Sequence, residues 1–245
     1  MNAMLLAAGL GTRMRPLTAE TAKPLLPLGG RALIDHALDR LTEAGISRVV
    51  VNTHWQAERV AAHLADRSTP EIVLRREPEL LDTGGAIRAA LDLLGPGPFL
   101  VVNGDSFFLD GPTPTLARLV AAFDDATDAV LLLDRVFQVR ADVGHGDFAL
   151  DPAIDPWGAV RRPAELEMVP YVFAGVQLLS PALFDAAPDD ALDGAFSMNV
   201  LWDAAIARGR LRALVHDGLW FHLSRPEDLA EAEYVLHGPT TGETR

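Results

Sequence analysis

The segment Leu6-Ala7-Ala8-Gly9-Leu10-Gly11-Thr12-Arg13-Met14-Arg15-Pro16-Leu17-Thr18, followed by Lys23-Pro24, gathers the residue types that handle phosphate. Gly9 and Gly11 come straight after an apolar run, where glycine permits positive φ and a close backbone approach to an anion, and Arg13 and Lys23 supply compensating charge. The spacing is not that of a dinucleotide fingerprint, because Met14 stands where the third glycine would fall. Nor is it a P-loop, because no Gly-Lys-Ser/Thr follows. An ordinary strand-to-helix turn would use the glycines alone; glycines, cations and Lys-Pro together favour a phosphate-handling loop. Asp105 closes Asn103-Gly104-Asp105 after a second apolar run, which puts its carboxylate at the carboxyl end of a strand, where a hard cation bridging phosphates takes oxygen ligands. Read locally, Asn-Gly-Asp is also good turn chemistry. Asp82-Thr83 ahead of an apolar helical run reads as an N-cap, and Gly84 and Gly85 leave room for a base or ribose against the backbone.

These residues need elements to hold them. Asn2 to Ala8, Ile46 to Asn52 and Phe99 to Asn103 are apolar runs that end in turn residues, the pattern of buried strands. Between them, Ala32 to Glu43, Trp55 to Leu64 and Thr83 to Leu94 carry apolar residues at helical spacing. Alternation of this kind predicts an α/β fold, a mostly parallel sheet covered on both faces, with its ligand at the carboxyl ends of the strands. Further on, Ala129 to Leu133, Val172 to Leu179, Leu211 to Val215 and Trp220 to Leu223 read as strands, and Asn199 to Ala207 and Pro226 to Leu236 as helices. The Gly-, Pro-, Asp- and Arg-rich stretch Arg140 to Pro170 is expected to form loops and hairpins on the ligand side. A single domain over 1–236 and a frayed tail over 237–245 are expected, since the tail has no apolar anchor.

With 245 residues, 49% apolar and 22% charged, the chain suits a globular protein. The absence of cysteine excludes disulfides, thiolate metal sites and a cysteine nucleophile, and suits the cytoplasm. The amino end lacks the order of a signal peptide, and the longest uncharged run, Met168 to Phe184, is too short and too polar to span a bilayer, so no membrane is expected. A net charge of -13 argues against a nucleic-acid partner, yet residues 1–31 hold Arg13, Arg15, Lys23 and Arg31 against the lone acid Glu20. A small phosphate-bearing ligand fits that imbalance. Hydrolase and zinc-protease motifs are absent.

The loop resembles that of the sugar-1-phosphate nucleotidyltransferases, Leu-Ala-Ala-Gly-x-Gly-Thr-Arg-x-x-Pro-Leu-Thr and then Lys-Pro. The similarity continues through Asp82-Thr83-Gly84-Gly85, Asn103-Gly104-Asp105 and Phe173-Ala174-Gly175-Val176. It implies a single Rossmann-like domain of the GT-A-like kind that joins a nucleoside triphosphate to a sugar 1-phosphate and releases pyrophosphate. It implies that Ala7, Ala8, Gly9, Gly11, Thr12, Arg13, Gly84 and Asn103 contact the nucleotide. Arg13, Lys23 and Asp105 would be the catalytic residues, with Mg²⁺ on Asp105, and Gly175 and Asp147 would lie near the sugar phosphate, although Asp147 reads equally as a turn residue. The compact length and Gly146-Asp147-Phe148 resemble the branch that serves cell-wall recycling, so UTP and N-acetylmuramic acid 1-phosphate are the expected substrates. Guanylyl transfer to mannose 1-phosphate, thymidylyl transfer to glucose 1-phosphate and cytidylyl transfer to phosphocholine use similar loops. The chain departs from the family in Trp-x-Asp-x-Gly-Thr, where it reads Trp220-Phe221-His222-Leu223-Ser224-Arg225. His222 would replace the second metal carboxylate, a poor exchange for Mg²⁺ and a better one for Mn²⁺ or Co²⁺, or it is simply a packed strand residue. That departure also leaves open a non-catalytic protein that binds nucleotide sugars.

Overall fold

The computed structural model describes residues 1–151, 159–185, 187 and 189–238. Its first half runs β1 (Ala3–Leu6), β2 (Pro27–Leu28), β3 (Arg31–Ala32), α1 (Leu33–Glu43), β4 (Arg48–Thr53), α2 (Ala57–Leu64), β5 (Glu71–Arg76), α3 (Asp82–Ala89), α4 (Leu91–Leu94), β6 (Phe99–Asn103) and β7 (Ser106–Leu109). The second half runs α5 (Thr115–Ala121), β8 (Ala129–Arg135), β9 (Ala149–Asp151), β10 (Ala159–Arg161), β11 (Tyr171–Leu179), α6 (Asn199–Ala207), β12 (Leu211–Val215), β13 (Leu219–His222) and α7 (Pro226–His237).

The main sheet has the order β12-β8-β11-β6-β1-β4-β5. Every neighbouring pair is parallel except those of β11, which lies antiparallel between β6 and β8. The fold is therefore the mostly parallel mixed α/β sheet that the alternating pattern predicts. Successive residues of a strand serve opposite faces: Val49 and Val51 of β4 join Ile34, Leu38 and Leu41 of α1, while Val50 joins Ile87 of α3 on the other side. Helices α2 and α5 share the α1 face, and α6 shares the α3 face. A smaller cluster of Met14, Leu28, Leu33, Phe107, Phe221 and Ala232 packs α7 and β13 beneath the glycine loop.

The differences from the sequence reading have local causes. Strand β5 escapes an apolar-run search because its apolar stretch is only Ile72-Val73-Leu74, flanked by Glu71, Arg75 and Arg76, which is normal for an exposed sheet edge. The helix expected over Thr83 to Leu94 breaks at Ala90, whose φ of -104° and ψ of 0° end α3 and start α4. In the stretch Arg140 to Pro170, β9 and β10 pair antiparallel. The pair lies beside β12, and Arg162 stacks over Phe148 and pairs with Asp203 of α6, so this part covers the β12 edge of the sheet. Residues 152–158 of that stretch and 239–245 of the expected tail lie outside the described residues; α7 itself reaches His237.

Candidate active site

The carboxyl ends of β1, β4 and β6 stand side by side, with Leu6 in register with Asn52 on one flank and Asn103 on the other. A cavity of about 510 Å³ opens there, within the range of small-molecule sites. The loop from Ala7 to Arg13 forms one wall, Asn52, Glu77, Leu80, Asp82 and Thr83 a second, and Lys23, Asn103, Asp105 and Ser224 a third. The candidates Ala7, Ala8, Gly9, Gly11, Thr12, Arg13, Lys23, Asn103 and Asp105 are thus brought together.

Gly11 has a φ of +61°, and a Cβ on it would meet Thr18 Cγ2 at 3.0 Å and Lys23 Cβ at 3.3 Å, so glycine is required there twice over. The Thr18 hydroxyl fixes the turn by donating to the Gly11 carbonyl at 2.7 Å. Gly9 does not use positive φ; it is exposed, and a Cβ would meet nothing within 4 Å, so its bare backbone simply faces the cavity. Gly104 serves close approach, since a Cβ would fall 2.7 Å from the Leu6 carbonyl oxygen.

Lys23 Nζ lies 2.5 Å from Asp105 Oδ2. The ammonium is largely covered at 12% side-chain exposure and the carboxylate less so at 37%, so the pair gains more from Coulomb attraction than an open surface bridge does. Arg13 stands exposed on the loop. His222 sits one strand away, on β13, in register with Ser106, the residue after Asp105. Its ring contacts Trp220 and borders a separate cavity of about 70 Å³ near Arg140 and Glu231. Burial holds the imidazole below the usual histidine range, with Lys23 and Arg13 pushing the same way against Asp228 and Asp105. His222 is therefore neutral near pH 7.

Among the described residues no three His, Asp or Glu side chains converge as a metal site. A partly exposed Asp105 suits Mg²⁺ that brings most of its ligands as phosphate oxygens and water, and does not suit an ion caged by protein alone.

Other candidates sit elsewhere. Gly84 is buried behind the wall: its amide and that of Gly85 donate to the Phe196 carbonyl at 2.9 and 3.1 Å, and a Cβ on Gly84 would overlap the Phe196 ring. That space is filled by protein rather than left for a base. Asp82 is not an N-cap; it has a φ of +56° and its carboxylate accepts from the adjacent Thr83 amide, while the Phe196 carbonyl does the capping. Asp147 accepts from the Phe173 amide at 2.9 Å, and Gly175, at φ +75°, sits in a bulge of β11 against Ser106 and Asn103. Both shape the strand beside Asn103 without lining the larger cavity.

Two polar wall residues, Asn52 and Glu77, were not singled out from sequence. Asn52 takes the Ala7 amide at 2.8 Å and donates to Glu77 at 2.7 Å, and Glu77, 4% exposed, also accepts from the Leu81 amide at 3.3 Å. A polar residue ending an apolar strand was the available signal for Asn52; nothing local marks Glu77.

A mostly parallel α/β sheet with a glycine loop, cations and a carboxylate at the carboxyl ends of its central strands defines an enzyme that works on nucleotide phosphates. The chain belongs to the nucleotidyl transferase family, whose profile matches residues 2–141. It is 39% identical over 240 residues to N-acetylmuramate alpha-1-phosphate uridylyltransferase of Caulobacter vibrioides, covering 96% of both chains. To the protein of that name from Neisseria meningitidis serogroup B it is 34% identical, covering 95% of this chain and 97% of the other. A putative glucose-1-phosphate thymidylyltransferase from Bacillus anthracis shares the fold, with a TM-score of 0.78 at 20% identity over 99% and 98% of the two chains.

Proposed function

We propose that the protein transfers UMP from UTP to N-acetylmuramic acid 1-phosphate, giving the UDP-sugar and pyrophosphate. The observation that carries this reading is the Lys23–Asp105 pair facing the glycine loop across one cavity, in a chain that matches the two uridylyltransferases almost end to end. A phosphate oxygen of the sugar 1-phosphate attacks the α-phosphorus in line; the bond from that phosphorus to the bridging oxygen breaks, and its electron pair leaves on pyrophosphate. No covalent enzyme intermediate is needed, so catalysis is positioning and charge stabilisation. Backbone groups from Ala7 to Thr12 hold the triphosphate with Asn103 beside them, Arg13 balances the leaving pyrophosphate, and Lys23 turns from Asp105 to the α-phosphate. Asp105 would hold Mg²⁺, which would supply charge neutralisation on the phosphates. Gly175 and Asp147 act on the sugar side through the shape of β11.

Pyrophosphate release, measured with UTP, GTP, dTTP and CTP against a panel of sugar 1-phosphates, tests this. Release with UTP and N-acetylmuramic acid 1-phosphate should exceed every other pair by about tenfold or more in kcat/KM, a preference of roughly 1.4 kcal/mol. A faster reaction with another base or sugar overturns the substrate assignment.

A further inference from the structure

Four parts of the site's wall opposite the glycine loop meet at one buried hydroxyl: the Gly104-Asp105 turn between β6 and β7, Asn103, the β11 bulge and β13. Ser106, 8% exposed, donates to the Ala174 carbonyl at 2.6 Å and accepts from the Trp220 indole N–H at 3.1 Å. Its proton and a lone pair are both used. The bond to Ala174 has a structural reason: β11 loses register with β8 between Phe173 and Gln177, and a bulge leaves a carbonyl outside the sheet ladder that must find another donor. Contact around the hydroxyl is close. A Cβ on Gly175 would lie 3.0 Å from both Ser106 Cβ and Oγ and 3.2 Å from Asn103 Nδ2. On β13, His222 is in register with Ser106, and Trp220 with Phe108.

We propose that Ser106 is a positioning residue for nucleotidyl transfer, strapping the Asp105 turn to the β11 bulge and, through Trp220, to β13. It rests on the transfer reaction proposed above. The bonds that support the glycine loop, from Ala7 to Asn52 and from Asn52 to Glu77, run through none of these groups, so the strap aligns the Asp105 turn with the β11 side and leaves the loop's own hold on the triphosphate in place. Trp220 matches the family pattern where its neighbours His222, Ser224 and Arg225 do not, and the strap gives it a role, since its N–H holds the hydroxyl in place. Removing the hydroxyl strands a buried carbonyl and a buried indole N–H, and the turn and bulge are then free to shift relative to each other. Small displacements of groups around an in-line reaction are costly in rate.

The test compares Ser106→Ala and Trp220→Phe with the wild type at a temperature where circular dichroism shows all of them folded. It uses whichever triphosphate and sugar 1-phosphate the wild type turns over fastest. Ser106→Ala should lower kcat/KM for the sugar 1-phosphate by roughly tenfold to a hundredfold, and Trp220→Phe, which keeps the bond to Ala174, by about threefold. The triphosphate Kd, measured by calorimetry, should stay within about twofold of wild type in both. Should Ser106→Ala fail to fold, Trp220→Phe carries the comparison. Wild-type kcat/KM in the folded variants, whatever their melting temperatures, overturns the proposal. So does an equal loss of triphosphate affinity, which would make the hydroxyl a general support of the fold. A wild-type preference for a different substrate pair overturns the substrate assignment and leaves the Ser106 comparison intact.

Discussion

Lys23 and Asp105 neutralise each other at 2.5 Å, and either one, on meeting a ligand of opposite charge, releases the other to bind its own. The ammonium is the better covered of the two, and a cation in such a place strengthens as the cavity fills and water leaves. Lys23→Ala should therefore lower kcat by about 10² to 10³, equivalent to about 2.7 to 4 kcal/mol of transition-state stabilisation. The same variant should still fold and lose only on the order of 1 kcal/mol of stability, since Asp105, the partner left behind, keeps access to water. A variant within about threefold of wild-type turnover would show that Lys23 is only a structural partner of Asp105. Arg13, Lys23, Asn103 and Asp105 were legible in the sequence because each sits in or beside a turn whose own residues have chemical meaning. Asn52 and Glu77 were not, because their place in the wall depends on β4 and the approach to α3 folding over Ala7. Gly84 was legible as a special position but for the wrong neighbour: an aromatic ring of the protein occupies the space expected to admit the ligand.

At the scale of elements, the start of α3 shows how a wall of the site is fixed from behind. Its first amides are capped by the Phe196 carbonyl, and the Met198 amide donates back to the Thr83 hydroxyl at 3.0 Å, so the segment before α6 and the first turn of α3 hold each other. A Cβ on Gly85 would lie 2.5 Å from the Gly194 carbonyl oxygen, a backbone atom with little room to give. Gly85→Ala should cost about 1 to 3 kcal/mol of stability as an overpacked site. It should also raise the KM for triphosphate, because Asp82 and Thr83 stand on the displaced turn. Urea unfolding together with steady-state kinetics checks both, and an unchanged midpoint would mean that the 194–196 backbone yields freely. Central strands β1, β4 and β6 and helices α1 and α2 were legible because their apolar periodicity is set by burial in the sheet or on one of its faces. The capping of α3 was not, since its partner lies more than a hundred residues along the chain.

For the molecule as a whole, acidity has a cost at one buried point. Asp134, 3% exposed at the end of β8, has its carboxyl pushed above the usual range by burial, with the Arg135 amide and the charges of His216 and Arg135 offsetting this in part. A raised folded-state value means that the protonated acid fits better than the carboxylate. Its contribution to stability is complete below the unfolded value of 3.8 and is lost as pH rises through the folded one. Asp134→Asn, which stays uncharged and still accepts from the Arg135 amide, should thus melt higher than wild type at pH 7, with the gain shrinking as pH falls toward 3.8. A lower melting temperature at pH 7 would show that the charge is wanted, by His216 above all. Packing at this scale also ties the glycine loop to α7. Met14 of the glycine loop rests in the cluster that α7 completes, Glu233 of α7 takes the Gly29 amide, and Asp228 holds the amides of Ser224 and Arg225. The phosphate loop thus takes part of its support from a helix that lies more than two hundred residues further along the chain. A chain cut back to before Pro226 would keep every residue of the glycine loop and lose the apolar floor beneath Met14, so the order of the loop is set in part by residues that never touch the cavity.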